Sequence, residues 1–166
     1  MKKIKFENKG FTLMEVIVSI AIITVALISI ISLISFSISG IVTNGSKTTA
    51  FGLAQEGLEI VRSIRDNNWL NYKRTSADWR DGLSAGDYRV QYNSTSLLSY
   101  SYTPLRIDVD GFYRYSGIPT KFYRKITISD VDDNQFKVVA EVSWQEKGRN
   151  LQMTAESRLY NWLKED

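Results

Sequence analysis

The hydrophobic pattern divides the chain into an apolar first part and a mixed second part. No charged residue occurs from Val16 to Ser46, a run of 31 positions. A bilayer core needs about 20 apolar residues in a helix, so this run can span a membrane with residues left over. The pattern therefore predicts a membrane-spanning helix over residues 11–45.

The pattern then becomes amphipathic and keeps a helical period. Between residues 46 and 69, apolar or small residues recur every three or four positions, while charged residues take the other side. The apolar set is Ala50, Leu53, Ala54, Gly57, Leu58, Val61 and Ile64. We expect a helix that ends near Asn67-Asn68, with a kink or break at Gly40 or Asn44-Gly45.

After residue 70 the signals are those of strands and turns. Strands are predicted at 88–92, 105–109, 112–115, 122–128, 136–144 and 151–159, with Asp110-Gly111 as a two-residue hairpin turn. Asp132-Asp133-Asn134 and Lys147-Gly148 mark two further turns. Residues 70–87 are expected to form a loop anchored by Trp69 and Trp79.

These elements predict an α+β fold in which a long N-terminal helix packs on an antiparallel β-meander. Four segments follow from it. Residues 1–10 form a basic leader, 11–45 a membrane-spanning helix, 46–69 an amphipathic helix, and 70–166 a β region that packs with the amphipathic helix as one domain.

The net positive charge of the chain lies entirely in its first ten residues. The chain carries +3 overall, and its first ten residues, with Lys2, Lys3, Lys5 and Lys9 against Glu7, also carry +3. The remainder has 17 basic and 17 acidic side chains and is neutral, so general nucleic-acid binding loses its main support. The basic leader predicts a cytoplasmic N-terminus, with everything after about residue 45 on the other side of the membrane.

Composition also limits the chemistry. The chain has no cysteine and no histidine, which excludes disulfides, thiol nucleophiles, thiolate zinc sites and imidazole acid–base catalysis. Catalytic sites built on carboxylates or on a serine–lysine pair are not excluded by composition. The sequence contains no nucleophile-elbow motif, no phosphate-loop motif and no spaced set of metal ligands. We expect no enzyme activity and no cofactor.

One acidic residue interrupts the apolar segment. Glu15 lies among Leu13, Met14, Val16 and Ile17, and a charge at the centre of a membrane helix costs about 2.5–3.5 kcal/mol on insertion scales. Such a residue usually has a partner or a function. The alternative is that Glu15 lies near the headgroups, where the cost is smaller.

The segment Lys9-Gly10-Phe11-Thr12-Leu13-Met14-Glu15-Val16 resembles the processing site of type IV prepilins and type II secretion pseudopilins. The resemblance covers about residues 1–40. It implies cleavage between Gly10 and Phe11 by a prepilin peptidase, methylation of the new amine on Phe11, and pairing of that amine with Glu15 of a neighbouring subunit. It also implies other pilin subunits and an inner-membrane assembly platform as partners.

Elementary electrostatics supports that pairing. A carboxylate and an ammonium are each costly in lipid, and together they largely cancel. An incoming subunit is therefore favoured only in the register that brings Glu15 and the Phe11 amine together. An uncut chain has no amine at this position, so cleavage would license assembly.

Two other readings of the N-terminus stay open. Ser37-Ile38-Ser39 followed by Gly40 resembles a small-x-small secretory cleavage site, although the apolar stretch before it exceeds the usual 7–15 residues. A plain uncleaved signal anchor on an exported domain of other function is the second.

Four serines fall on roughly one face of the apolar helix: Ser29, Ser32, Ser35 and Ser39. Small residues let helices approach closely in membranes, as a filament core would require. The alternative is that they bond back to the preceding turn. Many major pilins carry a proline near the position of Ser32, and this chain has none in the helix, which leaves local melting of the helix in a filament open.

The segments 55–59 and 62–66 resemble the second helical half of minor pilins or pseudopilins. Some pseudopilins bind calcium in the following domain, and Asp130, Asp132 and Asn134, with Glu141 at the twelfth place, superficially fit a calcium loop. Gln135 replaces the required glycine, however, so an acidic hairpin turn is the better interpretation.

A second candidate ligand is DNA. Five basic residues lie among aromatic ones, an arrangement that can stack bases and hold phosphates, although a solvated strand face with core aromatics explains it as well. The basic residues are Arg106, Arg114, Lys121, Arg124 and Lys125, and the aromatic ones are Tyr113, Tyr115, Phe122 and Tyr123.

The sequence thus predicts a structural subunit, a minor pilin or pseudopilin, that is anchored in the cytoplasmic membrane and recruited into a filament. The alternatives are a DNA-contacting pilin and a signal-anchored exported domain. The residues do not distinguish secretion, motility, adhesion and DNA uptake.

Overall fold

A computed structural model describes residues 10–75, 78–129 and 131–162. The chain contains one helix, α1 (Leu13–Thr75), and eight strands within these ranges. It divides into two compact units, the first ending at Asn44 and the second beginning at Gly45. The predicted α+β class, a long apolar N-terminal helix with antiparallel sheets, is confirmed.

The helix α1 runs without interruption through Gly40 and Asn44-Gly45, where the sequence suggested a kink or break. The predicted end at Asn67-Asn68 is wrong as well, because the helix continues to Thr75. Asn68 has a different role. Its side-chain amide donates to the carbonyls of Trp79 and Asp81, at 3.2 and 2.8 Å, so it ties the following loop to the helix instead of ending the helix.

The second unit is built on the amphipathic part of α1. Its apolar stripe is buried as the period predicted, with Ala50, Ala54 and Val61 fully buried and Leu53 and Ile64 nearly so. On the solvent side, Arg62 and Glu59 form an exposed ion pair at 2.6 Å. The stripe therefore faces the sheet, and Glu59 and Arg62 face outward, as expected for a surface helix.

The main sheet has five antiparallel strands in the order β2-β1-β6-β7-β8. Their bounds are β1 Gly86–Arg89, β2 Leu98–Ser99, β6 Phe122–Ser129, β7 Gln135–Glu146 and β8 Arg149–Tyr160. Strands β6 to β8 confirm the predicted meander. In β6 and β7, buried and half-buried residues alternate strictly over most of each strand, because one sheet face packs on the core and the other faces solvent.

The turn between β7 and β8 confirms the turn predicted at Lys147-Gly148. Both residues have positive φ, 51° and 74°, and Glu146 pairs directly with Arg149. These are features of a type I′ turn, whose twist matches that of the flanking strands.

The middle of the chain differs from a simple meander. Strands β3 (Arg106–Ile107), β4 (Tyr113–Arg114) and β5 (Ile118–Pro119) form a separate three-stranded sheet in the order β4-β3-β5. The predicted two-residue turn at Asp110-Gly111 is a longer connection, since Asp108 accepts the N–H groups of Asp110 and Phe112, both at 2.9 Å. Side-chain bonds of this kind compete with strand pairing, which keeps these strands short. The strand predicted at 88–92 also ends early, at Arg89.

The loop before β1 is anchored by aromatic packing, as the sequence indicated. Trp69 and Trp79 are 8% and 6% exposed, and their ring centroids lie 6.1 Å apart. Trp79 also stacks on Phe136 of β7 at 5.4 Å. The end of α1, the loop and the sheet therefore share one hydrophobic core.

Gly57 marks the closest approach of the helix to the sheet, and its replacement by leucine is expected to lower the free energy of unfolding by about 1–3 kcal/mol through overpacking. A Cβ atom at this position would lie 2.8 Å from Cδ1 of Ile126 and 3.3 Å from Cδ of Arg124. Urea unfolding of the full chain in detergent micelles, followed by tryptophan fluorescence, measures the change.

Gly52 supplies the matched control, because it lies on the same helix and a Cβ there meets nothing within 4 Å. Gly52→Leu is expected to raise the free energy of unfolding by about 0.5–1 kcal/mol, since leucine is the better helix former. Equal effects of the two substitutions would contradict the close approach.

Candidate processing and assembly site

The predicted cleavage site lies immediately before the helix. Gly10 and Phe11 precede α1, and Thr12 caps it, because the Thr12 hydroxyl accepts the backbone N–H of Glu15 at 3.3 Å. The Thr12 carbonyl accepts the N–H of Val16 at 3.2 Å. The peptide bond after Gly10 is thus outside the regular hydrogen bonding of the helix, and both neighbouring residues are exposed.

Thr12 was not singled out from the sequence, although a signal was present. Thr12-Leu13-Met14-Glu15 has the form of a capping box, in which a threonine at the helix start and a glutamate three residues later serve the first-turn N–H groups. In the structure the Thr12 half of this box is formed, and Glu15 itself has a local role through its charge. It is an acidic residue in the first turn, where the helix dipole favours negative charge.

The carboxylate of Glu15 is exposed in the single chain. Among the described residues it forms no ion pair with a basic side chain. Its pairing with the Phe11 amine of another subunit remains a prediction, and the position is open for it.

The rest of the first unit is an apolar helix with exposed side chains. Twenty large apolar side chains between Phe11 and Val42 are 43–81% exposed. The helix is long and apolar enough to cross a membrane by length and composition. Full burial of such a side chain stabilises by about 1.5–3 kcal/mol, so this surface favours lipid or other apolar helices over water.

The four serines on this helix are all exposed. The Ser29 hydroxyl donates to the carbonyl of Val25 at 2.9 Å, and Ser19 and Thr24 bond back in the same way, both at 2.7 Å. For Ser29, the back-bonding alternative is therefore realised in the single chain. Close packing of helices at Ser29, Ser32, Ser35 and Ser39 stays a prediction.

The acidic turn is organised by its own backbone. The Asp132 carboxylate accepts the N–H groups of Asn134 and Gln135, at 2.7 and 2.8 Å. These hydrogen bonds, the one from Asn134 first, lower the pKa of Asp132 below its ordinary value. Asp130 lies outside the described residues, and the described residues contain no cluster of three acidic or other metal-binding side chains. These contacts are those of an acidic hairpin turn.

The basic and aromatic residues considered for DNA binding do not form one charged surface. Arg124 lies in the core, with a side chain that is 0% exposed. Arg114 forms an ion pair with Asp108, and Lys121 one with Glu146. Arg106 donates to the carbonyl of Gly117 at 3.0 Å, and Arg124 pairs with Glu56. Most of the positive charge in this set is therefore compensated locally.

The internal position of Arg124 was missed from the sequence. Its guanidinium donates to the carbonyls of Leu53 and Val90, at 2.9 and 2.8 Å, and to the Glu56 carboxylate at 3.0 Å. The signal was its phase in β6, since Phe122, Ile126 and Ile128 alternate with the outer residues on the same face. Arg124 connects helix and sheet in the interior and does not contact solvent.

Comparison with known proteins supports the N-terminal resemblance. Residues 6–31 match the family model described as the prokaryotic N-terminal methylation motif. This match spans Gly10, Phe11 and Glu15 together with the first half of the apolar helix. No curated protein and no solved structure matches the chain.

A motif of this type implies processing by a prepilin peptidase and association with other pilins, and it points to a structural protein and not to an enzyme. With the apolar helix that follows, it also indicates membrane anchoring. The chain therefore carries the type IV prepilin-like signature at its N-terminus, over residues 6–31.

Proposed function

We propose that this protein is a minor pilin or pseudopilin, processed after Gly10 and assembled into a filament through its N-terminal helix. The observation that carries the proposal is the combination of the methylation motif at 6–31 with twenty exposed apolar side chains directly after the cleavage site. This surface has no partner within the part of the chain that the structure describes, and a filament of parallel helices would bury it.

In this mechanism the membrane holds the subunit before assembly. The basic leader keeps the N-terminus in the cytoplasm, and the second unit lies on the opposite side, in the periplasm or outside the cell. Cleavage removes the leader and with it the whole net positive charge. The new Phe11 amine then pairs with Glu15 of a neighbour, which sets the register of the incoming subunit.

The cleavage step is tested by mass spectrometry of the membrane fraction of cells that express both the chain and a prepilin peptidase. The mature chain is expected to begin at N-methylated Phe11. In cells without the peptidase, the same chain is expected to keep its leader and begin at Met1.

Two results would overturn the proposal. A mature chain that begins at Gly40 would show ordinary secretory cleavage after Ser39. An intact leader in the presence of an active peptidase would show a signal anchor with an accidental motif.

A further inference from the structure

A depression at one end of the main sheet has the composition of a ligand site, and the filament role makes no use of it. Its volume is about 520 Å³, within the range of small-molecule sites. The lining side chains that carry its chemistry are Tyr102, Tyr123, Lys121, Ser143, Gln145 and Asn150. Aromatic rings, a hydroxyl and two amides therefore meet in one place.

The aromatic part is a platform with one open side. Tyr102 lies in the loop before β3, and its ring stacks on Tyr123 of β6, with centroids 4.3 Å apart and planes 10° from parallel. Even so, Tyr102 is 72% exposed. The loop is fixed nearby, since the N–H of buried Leu105 donates to the carbonyl of Phe122 at 2.8 Å. One face of the Tyr102 ring therefore packs on Tyr123, and most of the remaining ring surface is exposed and accessible to a ligand.

The polar part lies beside this platform on adjacent strands. Ser143 pairs directly with Tyr123 across β6 and β7, and Gln145 pairs with Asn150 across β7 and β8. A primary amide offers both donors and acceptors, and a hydroxyl offers both as well. This combination suits a ligand that carries many hydroxyl groups and some acceptors.

The charge of the depression does not favour a polyanionic ligand such as a nucleic acid. Lys121 is the only charged residue in its lining, and it forms an ion pair with Glu146 at 2.6 Å. The Glu146 carboxylate is itself held by the buried Ser46 hydroxyl at 2.5 Å. Nucleic-acid sites combine stacking rings with uncompensated positive charge, which this depression does not offer.

We propose that this depression, centred on Tyr102, Gln145 and Asn150, binds a neutral oligosaccharide. The partially positive C–H face of a sugar ring would stack on the negative face of the Tyr102 ring, and the sugar hydroxyls would hydrogen-bond to the amides of Gln145 and Asn150. The proposal does not depend on filament assembly.

The test is a titration of the full-length chain in phospholipid nanodiscs, because many detergents carry sugar headgroups that would compete. Saturation-transfer NMR with chitotetraose, maltotetraose and cellotetraose as probes is expected to show binding of at least one of them. Tyr102→Ala is expected to weaken that binding about tenfold, and Tyr102→Phe to retain it, because the ring and not its hydroxyl supplies the stacking surface.

Tyr160→Ala is the matched control, since Tyr160 is an exposed tyrosine of the same sheet, on β8 and outside the depression. It is expected to bind like the unaltered chain. Absence of saturation transfer to all three oligosaccharides would overturn the proposal. Equal binding by Tyr102→Ala, or Tyr102-dependent binding of oligothymidylate in place of any sugar, would overturn it too.

Discussion

Replacement of Glu15 by alanine is expected to leave membrane insertion and cleavage intact and to reduce incorporation into filaments roughly a hundredfold. The estimate takes about 2.5–3.5 kcal/mol for an uncompensated charge in a membrane helix and about 1.4 kcal/mol for each factor of ten in an equilibrium constant. Without the carboxylate, the Phe11 amine of the incoming subunit would be buried without a partner. Quantitative immunoblotting of sheared filaments against membranes measures the ratio.

Glu15→Gln separates the two roles of this residue. Glutamine keeps the hydrogen-bonding capacity of this position in a capping box and removes the charge. If charge pairing sets the register, Glu15→Gln behaves like Glu15→Ala. Normal incorporation of Glu15→Gln would show that Glu15 acts through the capping of α1 and that register is set elsewhere.

A matched test of the cap alone is available in Thr12→Ala. Loss of an N-cap hydroxyl costs about 0.5–2 kcal/mol of helix stability, and the charge of Glu15 is retained. A large defect in Glu15→Gln with a small one in Thr12→Ala is the pattern expected for intermolecular pairing.

Replacement of Arg124 by alanine is expected to lower the free energy of unfolding of the second unit by about 2–5 kcal/mol, the usual cost of truncating a large, fully buried side chain to alanine. The side chain is fully buried and serves two carbonyls and the Glu56 carboxylate. Its loss leaves the Val90 carbonyl without this donor and opens a cavity between α1 and β6. Urea unfolding followed by tryptophan fluorescence measures the loss.

The control for Arg124 is its neighbour in the strand. Lys125 is also basic but points to the other face of β6 and is half-buried, so Lys125→Ala is expected to change the free energy of unfolding by less than about 0.5 kcal/mol. Arg124→Lys is expected to stay well below the unaltered chain, because an ammonium cannot replace the planar fork of a guanidinium. Similar stabilities of the Arg124→Ala and Lys125→Ala variants would contradict the role assigned to the guanidinium.

The parts of this fold that the sequence predicted are those with a sustained period. The apolar run, the amphipathic stripe through Leu53 and Val61, and the alternation in β6 to β8 each extend over eight or more residues, long enough for burial to repeat visibly. The strands of the small sheet are two residues long, too short to show an alternation of buried and exposed positions. The hydrogen bonds of Asp108 that shape the turn between two of them are not indicated by any sequence pattern.

Two errors have a common physical cause. By residue type alone, Asn68 indicates the end of a helix and Arg124 indicates a surface cation, and the structure contradicts both. In the structure, each side chain satisfies backbone carbonyls of a distant segment, the loop at 79–81 for Asn68 and residues 53 and 90 for Arg124. Polar residues that serve remote carbonyls cannot be recognised by propensity, although the phase of Arg124 in its strand indicated its side of the sheet.

The residues of the candidate assembly site can be named from the sequence alone, because they are local in sequence and lie within a recognisable motif. Gly10, Phe11 and Glu15 lie within six residues, and the capping residue Thr12 lies between them. The depression beside Tyr102 was not predictable, since it joins a loop before β3 to three strands of the main sheet.

The exposed apolar surface of the first unit also determines where the free subunits for the proposed polymerisation would be found. A chain anchored by this helix does not dissolve in water as a free subunit. Growth of the filament would therefore depend on the number of subunits per area of membrane. Under the proposed function, the rate of elongation would therefore follow the expression level of the subunit, because confinement to two dimensions raises the local density of a scarce protein.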